Sequence, residues 1–191
     1  MFYFELVRWY GNVVLMTSTA DSRRKDETFE QTAAKDVYAY IEEDLKYAAE
    51  VLPWAVDDTR RTTNAYRFSK GAALGLLAKV YCTWAGYPVR DESKWAEAEK
   101  AARRVVESGK HRLISDYETV WKNTCNGIWD AGESLIEVSF YSPTGLDSDN
   151  TAGRIGKWNG VSATTVEGER GRNAANWKVT YNICLLYTSP S

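Results

Sequence analysis

The chain is 191 residues long and 44% of it is hydrophobic, which is enough for one domain with a sizeable core. Its 24 Lys and Arg residues nearly balance its 26 Asp and Glu residues, so the excess of positive charge expected of a nucleic-acid-binding protein is missing. No apolar run reaches the roughly 18 residues that a membrane-spanning helix requires.

The cysteines and the histidine show no pattern typical of a metal site or a disulfide. Cys82, Cys125 and Cys184 do not have the C-x-x-C spacing of structural zinc sites. Cys82 lies in an apolar helical stretch, and we expect it to be a small buried hydrophobe. His111 is the single histidine of the chain, and we expect it at the surface near a helix end. We therefore predict no metal and no cofactor.

Two amphipathic helices are predicted in the first 53 residues. The first covers residues 2–10 and ends at Gly11-Asn12; its apolar residues are Phe2, Leu6, Val7, Trp9 and Tyr10. The second covers about residues 35–52, before Pro53. Its apolar residues recur every three or four positions, namely Val37, Ile41, Leu45, Ala48 and Leu52. Its charged residues Glu42, Glu43 and Lys46 are expected to face solvent.

A second pair of helices is predicted to form the centre of the fold. One begins after Ser69, a good N-cap, and covers about residues 70–85. It is apolar nearly all round, so we expect it in the middle of a bundle. The other opens at Ser93 and covers about residues 94–108, with a predicted apolar face of Trp95, Ala98, Ala101, Ala102, Val105 and Val106. The pair resembles a TPR helix pair whose connecting turn is lengthened by about eight residues.

The pattern changes after residue 110. Tyr117, Val120 and Trp121 suggest a short helical turn, and the alternation over 134–140 predicts one strand or extended segment. From residue 142 the chain is rich in Gly, Asn, Ser and Thr, which predicts a long irregular surface region. The predicted fold class is mainly α: a TPR-like helical bundle with long irregular loops and little β.

The acidic residues give no sign of a catalytic site. Glu42-Glu43, Asp57-Asp58, and Asp147 with Asp149 are the pairs that could be imagined beside a glycosidic bond. A glycosidase needs its two carboxylates roughly 5–10 Å apart in a cleft, and nothing in the sequence marks such a pair. The interpretation as solvated helix and loop charges is favoured. We predict that the protein is not an enzyme.

Six segments, in order, resemble the SusD/RagB family. The first is Phe2–Leu15, which resembles the family's helix and Gly-Asp-Val-Pro-Leu turn, except that Val14 stands where the family has proline. The others are 37–53, 70–81, 95–98, 105–109 and 133–140, and the resemblance spans residues 1–140. The helix Lys70–Tyr81 is the most recognisable of them.

The resemblance implies a SusD-like helical lipoprotein of several hundred residues. Such a protein captures oligosaccharide or polysaccharide at the cell outer membrane, without catalysis, and delivers it to a SusC-like TonB-dependent transporter. It faces the cell surface or the periplasm and is held by an acylated N-terminal cysteine. No such cysteine is seen here.

The resemblance also sets the expected domain organisation. We expect one SusD-like domain over 1–183, truncated at both ends, with a helical core over 1–125 and an extended segment and loops over 133–183. Residues 184–191 match the in-frame translation of a sequencing adapter, and we expect them not to be protein sequence.

Glycan binding would need flat aromatic faces for sugar rings and polar groups for hydroxyls. The chain has 8 Trp and 12 Tyr, more than a helical core usually needs. The candidate ligand-binding residues lie in the predicted loops: Tyr141, Arg154, Trp158, Asn159 and Trp177. Alternatively, Trp158 and Trp177 pack the loops onto the bundle. Two rival functions remain open: a TPR-like scaffold for protein–protein interaction and a glycan-active enzyme.

Overall fold

Helices account for nearly all regular structure in residues 1–18, 29–59 and 67–137, the parts of the chain that this computed structural model describes. In chain order the elements are α1 Phe2–Tyr10, α2 Ala34–Val51, a 3₁₀ helix Ala55–Asp57, α3 Lys70–Ala85, α4 Lys94–Glu107 and α5 Tyr117–Cys125. Over those ranges β pairing is limited to one bridge, between Val13 and Thr32. The prediction of a mainly helical fold with little β is confirmed.

Helix α3 lies in the middle of the bundle, between α2 and α4. Its buried residues include Ala72, Leu74, Leu77 and Trp84. Leu74, Leu77 and Trp84 lie on one side of the helix and Ala72 lies on another, which is why the apolar residues of α3 are not confined to one face. The predicted N-cap is also confirmed, because the Oγ of Ser69 accepts a hydrogen bond of 3.2 Å from the amide of Ala72.

Helices α1 and α2 pack together, and a small part of α1 enters the core. Phe4 and Val7 are buried, whereas Phe2, Trp9 and Tyr10 are exposed. The predicted apolar stretch therefore presents most of its aromatic residues to solvent. On α2 the predicted face is confirmed at Val37, Ile41 and Leu45, but Ala49 replaces Ala48 as the buried alanine.

Helix α4 buries a narrower face than its sequence suggested. Ala98 and Ala101 are buried, whereas Trp95, Ala102 and Val106 are exposed. Residues 98 and 101 lie on the stripe that faces α3, and residues 95, 102 and 106 follow a neighbouring stripe. The prediction of a single six-residue apolar face was wrong because two adjacent stripes were read as one.

Helix α4 begins after Ser93, as predicted. Ser93 is the N-cap residue, but its side chain makes no capping hydrogen bond. Its Oγ and its amide both donate to Oδ1 of Asp91, at 2.5 and 3.2 Å. Asp91 therefore organises the turn before the helix.

Two residues are placed opposite to expectation. Cys82 is exposed, because it follows the exposed Lys79 by about one helical turn, on the side of α3 that faces solvent. His111 is partly buried: its Nδ1 lies 3.3 Å from the carbonyl oxygen of Gly132 and its ring packs against Trp54.

The region after α4 contains more helix than predicted. Helix α5 runs for nine residues, where a short turn was expected, and it is capped by Asp116, whose carboxylate accepts from the amides of Glu118 and Thr119. Residues 134–137 form no strand, and the rest of the predicted extended segment lies outside the described residues.

Candidate functional site

All five residues predicted to contact ligand lie outside the described residues. Tyr141, Arg154, Trp158, Asn159 and Trp177 follow residue 137, the last one described, so their roles stay predictions. The described part of the chain contains the segment that leads to them and several exposed aromatic side chains.

The segment that precedes the candidate residues covers residues 111–137. It begins at His111, which lies against α3. The imidazole ring covers Gly71, in the first turn of that helix, and its centroid is 5.8 Å from the Trp54 ring. Further along, Leu135 lies over Gly75, where a Cβ would stand 2.7 Å from its Cδ1. Two glycines one helical turn apart thus bring residues 111 and 135 close to the backbone of α3.

Asp130 organises the turn between these two contacts. Its Oδ1 accepts a hydrogen bond of 2.8 Å from the amide of Gly132, and its Oδ2 lies 3.0 Å from Nη2 of Arg112. Burial raises the pKa of Asp130, but these hydrogen bonds and the Arg112 charge outweigh burial and hold that pKa below its usual value. The turn is therefore built around an ionised carboxylate.

Exposed aromatic side chains occur at the α3–α4 turn and on α5. Tyr87, Trp95, Tyr117 and Trp121 are each more than half exposed. The guanidinium of Arg90 lies 5.5 Å from the centroid of the Tyr87 ring. Flat aromatic faces beside a guanidinium can bind a sugar or a protein surface. None of these four positions was predicted to contact ligand, because the candidate contacts were placed in the loops after residue 140.

Several acidic residues of the helical part make ion pairs. Glu42 contacts Lys46 and Lys94, and Asp57 lies 2.9 Å from Lys110. An open groove of about 470 Å³ is lined by Ala39, Glu42, Glu43, Lys46, Tyr47 and Glu50. All six of these residues belong to α2, so among the described residues the groove lies along the surface of a single helix.

Two further properties concern the helical part alone. Among the described residues no group of His, Cys, Asp and Glu side chains is arranged to hold a metal ion. In the same part of the chain, no helix combines the length and the apolar character needed to cross a bilayer.

Residues 1–82, from α1 through most of α3, match the family model "SusD-like_3: Starch-binding associating with outer membrane". The chain is also similar, at 63% identity, to a SusD homolog from Bacteroides thetaiotaomicron VPI-5482 whose crystal structure superimposes with a TM-score of 0.86 over 98% of this chain. The chain belongs to the SusD-like family.

Other SusD-like proteins match more distantly. A SusD-like protein of Bacteroides ovatus is 30% identical over 142 residues, or 72% of this chain. A SusD superfamily protein of Parabacteroides distasonis is 33% identical over 62% of this chain, with a TM-score of 0.52. A structure solved with xylogluco-oligosaccharide is 25% identical over 82% of this chain, with a TM-score of 0.58.

This SusD-like chain spans only part of the length of its relatives. It covers 24% of the Bacteroides ovatus protein and 35% of the Bacteroides thetaiotaomicron structure. Of the structure solved with xylogluco-oligosaccharide it covers 30%, and of the Parabacteroides distasonis protein 24%.

Proposed function

We propose that this SusD-like chain belongs to a protein that binds oligosaccharide or polysaccharide at the outer membrane without catalysis. The observation that carries the proposal is the family match, whose description is starch-binding and associating with the outer membrane. The relative solved with xylogluco-oligosaccharide supports a glycan as the ligand class. The ion-paired carboxylates of the helical part fit a protein that holds its ligand and does not cleave it.

The proposed ligand contacts are the five loop residues of the sequence analysis. Trp158, Trp177 and Tyr141 would stack on the apolar faces of sugar rings, while Arg154 and Asn159 would bond hydroxyls.

The proposed partner is a SusC-like TonB-dependent transporter, to which the ligand is delivered. The protein would act as a lipoprotein tethered at the outer membrane through an N-terminal lipid anchor. The turn between α3 and α4, together with the first turn of α4, is the proposed partner face. Tyr87, Arg90 and Trp95 are of the residue types most often dominant in protein interfaces.

A glycan screen with matched tryptophan variants tests the proposal. The purified 191-residue chain is incubated with plant and host glycans, and bound ligand and released sugar are both measured. We expect binding with no released sugar, and we expect Trp158→Ala and Trp177→Ala each to weaken binding about fivefold through loss of stacking. Trp9→Ala, at an exposed position on α1, is the control and should leave the affinity unchanged.

Two results would contradict the proposal. Failure of the wild-type chain to bind any glycan would overturn it, and released sugar would favour a glycan-active enzyme. The alternative function is a TPR-like scaffold for a protein partner, which the packing of α3 against α4 and the exposed aromatics of their turn favour. A scaffold would keep its partner affinity after deletion of residues 141–182, whereas a glycan-binding protein would lose its ligand.

A further inference from the structure

Helix α1 carries apolar side chains on two sides. Phe4 and Val7 are buried on the side that enters the core. At about 100° per residue, four exposed apolar residues fall together on the other side of the helix. We call these residues the outer stripe of α1: Phe2, Leu6, Trp9 and Tyr10. A helix that is apolar on opposite sides is typical of a position between two layers of protein.

The charged residues of α1 lie beside the outer stripe and are paired with each other. Nη1 of Arg8 lies 2.9 Å from Oε1 of Glu5, and the guanidinium of Arg8 lies 5.3 Å from the centroid of the Phe4 ring. The outer stripe itself contains no charged residue. Its chemistry therefore fits an apolar partner that brings no charge to the contact.

The exposed sides of α2 and α4 are different. On α2 the exposed ring of Tyr47 lies in the groove lined by Glu43 and Glu50. On α4 the guanidinium of Arg103 pairs with the carboxylates of Glu99 and Glu107. Charged sides of this kind are typical of helices that face water. A contiguous apolar surface such as the outer stripe is instead typical of an interaction site.

The SusD-like relatives indicate what covers the stripe. The Bacteroides thetaiotaomicron structure superimposes on 98% of this chain, but the matched part is only 35% of that structure's own chain. The greater part of that relative is therefore polypeptide in addition to the helical part described here. When additional polypeptide packs onto a helical body, burial of apolar surface contributes most of the favourable free energy.

We infer that the outer stripe of α1 is the docking site for an apolar segment of the SusD-like protein that lies outside residues 1–191. The segment packs against Trp9 and Tyr10, so α1 becomes an internal helix of the longer protein. The inference rests on the family match and on the stripe, and glycan binding does not enter it. Failure of the proposed function would therefore leave it intact.

A matched pair of tyrosine variants tests the inference. Tyr10 and Tyr47 are 75% and 70% exposed, and they lie on an apolar and a charged helix side, respectively. Tyr10→Ser and Tyr47→Ser are made in the intact protein, expressed from its complete gene, and amide hydrogen exchange is measured across α1 and α2. We expect Tyr10→Ser to accelerate exchange across α1 at least about tenfold, because the docked segment loses an aromatic contact. Tyr47→Ser should change exchange across α2 by less than about twofold.

The same pair in the 191-residue chain separates docking from a role of Tyr10 within α1. Both rings are exposed there, so each variant should change exchange by less than about twofold. In the wild type, exchange across α1 should be at least about tenfold slower in the intact protein than in the 191-residue chain. If the 191-residue chain does not fold alone, the matched pair in the intact protein decides the question by itself.

Three results would overturn the inference. The first is equal, small effects of Tyr10→Ser and Tyr47→Ser in the intact protein. The second is a complete gene that encodes nothing beyond residues 1–191. The third is a dimer of the intact protein, detected by light scattering, that Tyr10→Ser dissociates, because the stripe would then bind a second copy of the protein.

Discussion

One serine precedes each of the helices α3 and α4, and the two serines are expected to contribute differently to the free energy of unfolding because their surroundings differ. Ser69 is fully buried, and its hydroxyl accepts from the amide of Ala72. Ser93 is exposed and directs its hydroxyl to Asp91. An unsatisfied buried amide costs more than an exposed one, which water can solvate. The residue type alone does not distinguish these two positions.

We expect Ser69→Ala to lower the free energy of unfolding by about 1–2 kcal/mol, because it leaves a buried helix N-terminal amide without its acceptor. Ser93→Ala should change it by less than about 0.5 kcal/mol. Urea denaturation of the two variants, followed by circular dichroism, measures both values. Equal losses of unfolding free energy in the two variants would show that the capping hydrogen bond of Ser69 contributes no more to stability than Ser93 does.

At the scale of the elements, one carboxylate connects α2, α3 and α4. Glu42 was predicted to face solvent, yet only 14% of its side chain is exposed. Its oxygens lie 2.5 Å from Nζ of Lys46, 3.0 Å from Nζ of Lys94 and 2.8 Å from the hydroxyl of Tyr81. The prediction for Glu42 was wrong because α4 brings a cation to this side of α2.

The ammonium of Lys94 is also held by aromatic rings. It lies 3.9 Å from the centroid of a Trp84 ring and 5.4 Å from that of Tyr81. Tyr38 of α2 stacks on Trp84 at 5.4 Å and 15°. A cation in contact with a carboxylate and two aromatic faces, with 16% of its side chain exposed, is partly shielded from water.

We expect Lys94→Met to lower the free energy of unfolding by about 2 kcal/mol, since it leaves the half-buried Glu42 without one of its cations. Lys46→Met removes the other cation of the same carboxylate, but 56% of the Lys46 side chain is exposed, so the loss should be about 0.5 kcal/mol or less. Chemical denaturation of the two variants gives both values. A larger loss in Lys46→Met would contradict this account of the three-helix junction.

At the scale of the whole molecule, this junction links stability to pH. Burial raises the pKa of Glu42, but the hydrogen bonds from Lys46, Lys94 and Tyr81 outweigh burial and leave that pKa below the ordinary value of 4.5. A carboxyl group whose pKa is lowered by folding stabilises the folded state above its unfolded pKa. That contribution is lost as the pH falls through its folded pKa.

We therefore expect the melting temperature of the wild-type chain to be level above about pH 5 and to fall at lower pH. Glu42→Gln should have a lower melting temperature near pH 7 and a shallower fall in acid, because it has no proton to take up at this position. Glu118→Gln is the control: its ion pair with Lys122 is exposed, so its pH profile should follow the wild type. A Glu42→Gln profile parallel to the wild-type profile would contradict the proposed linkage.

Helix bounds could be predicted from the sequence because they depend on local spacing and local caps. The spacing of apolar residues gave the bounds of α1 and α3 as observed, and it gave those of α2 and α4 to within one residue at each end. The central position of α3 was predicted from its apolar residues, which occur nearly all round the helix. The order of these segments also predicted membership of the SusD-like family, which the family match confirms.

Only the tertiary structure decided which polar and small residues meet. The orientation of Glu42 depends on Lys94, 52 residues later in the chain, and the burial of His111 depends on the absence of a side chain at Gly71. Neither contact can be predicted from the spacing of residues along the sequence, because each contact joins residues from different elements. The residues proposed to contact ligand lie after residue 137, outside the described residues, and for them the sequence provides only the aromatic and polar residue types that a glycan site needs.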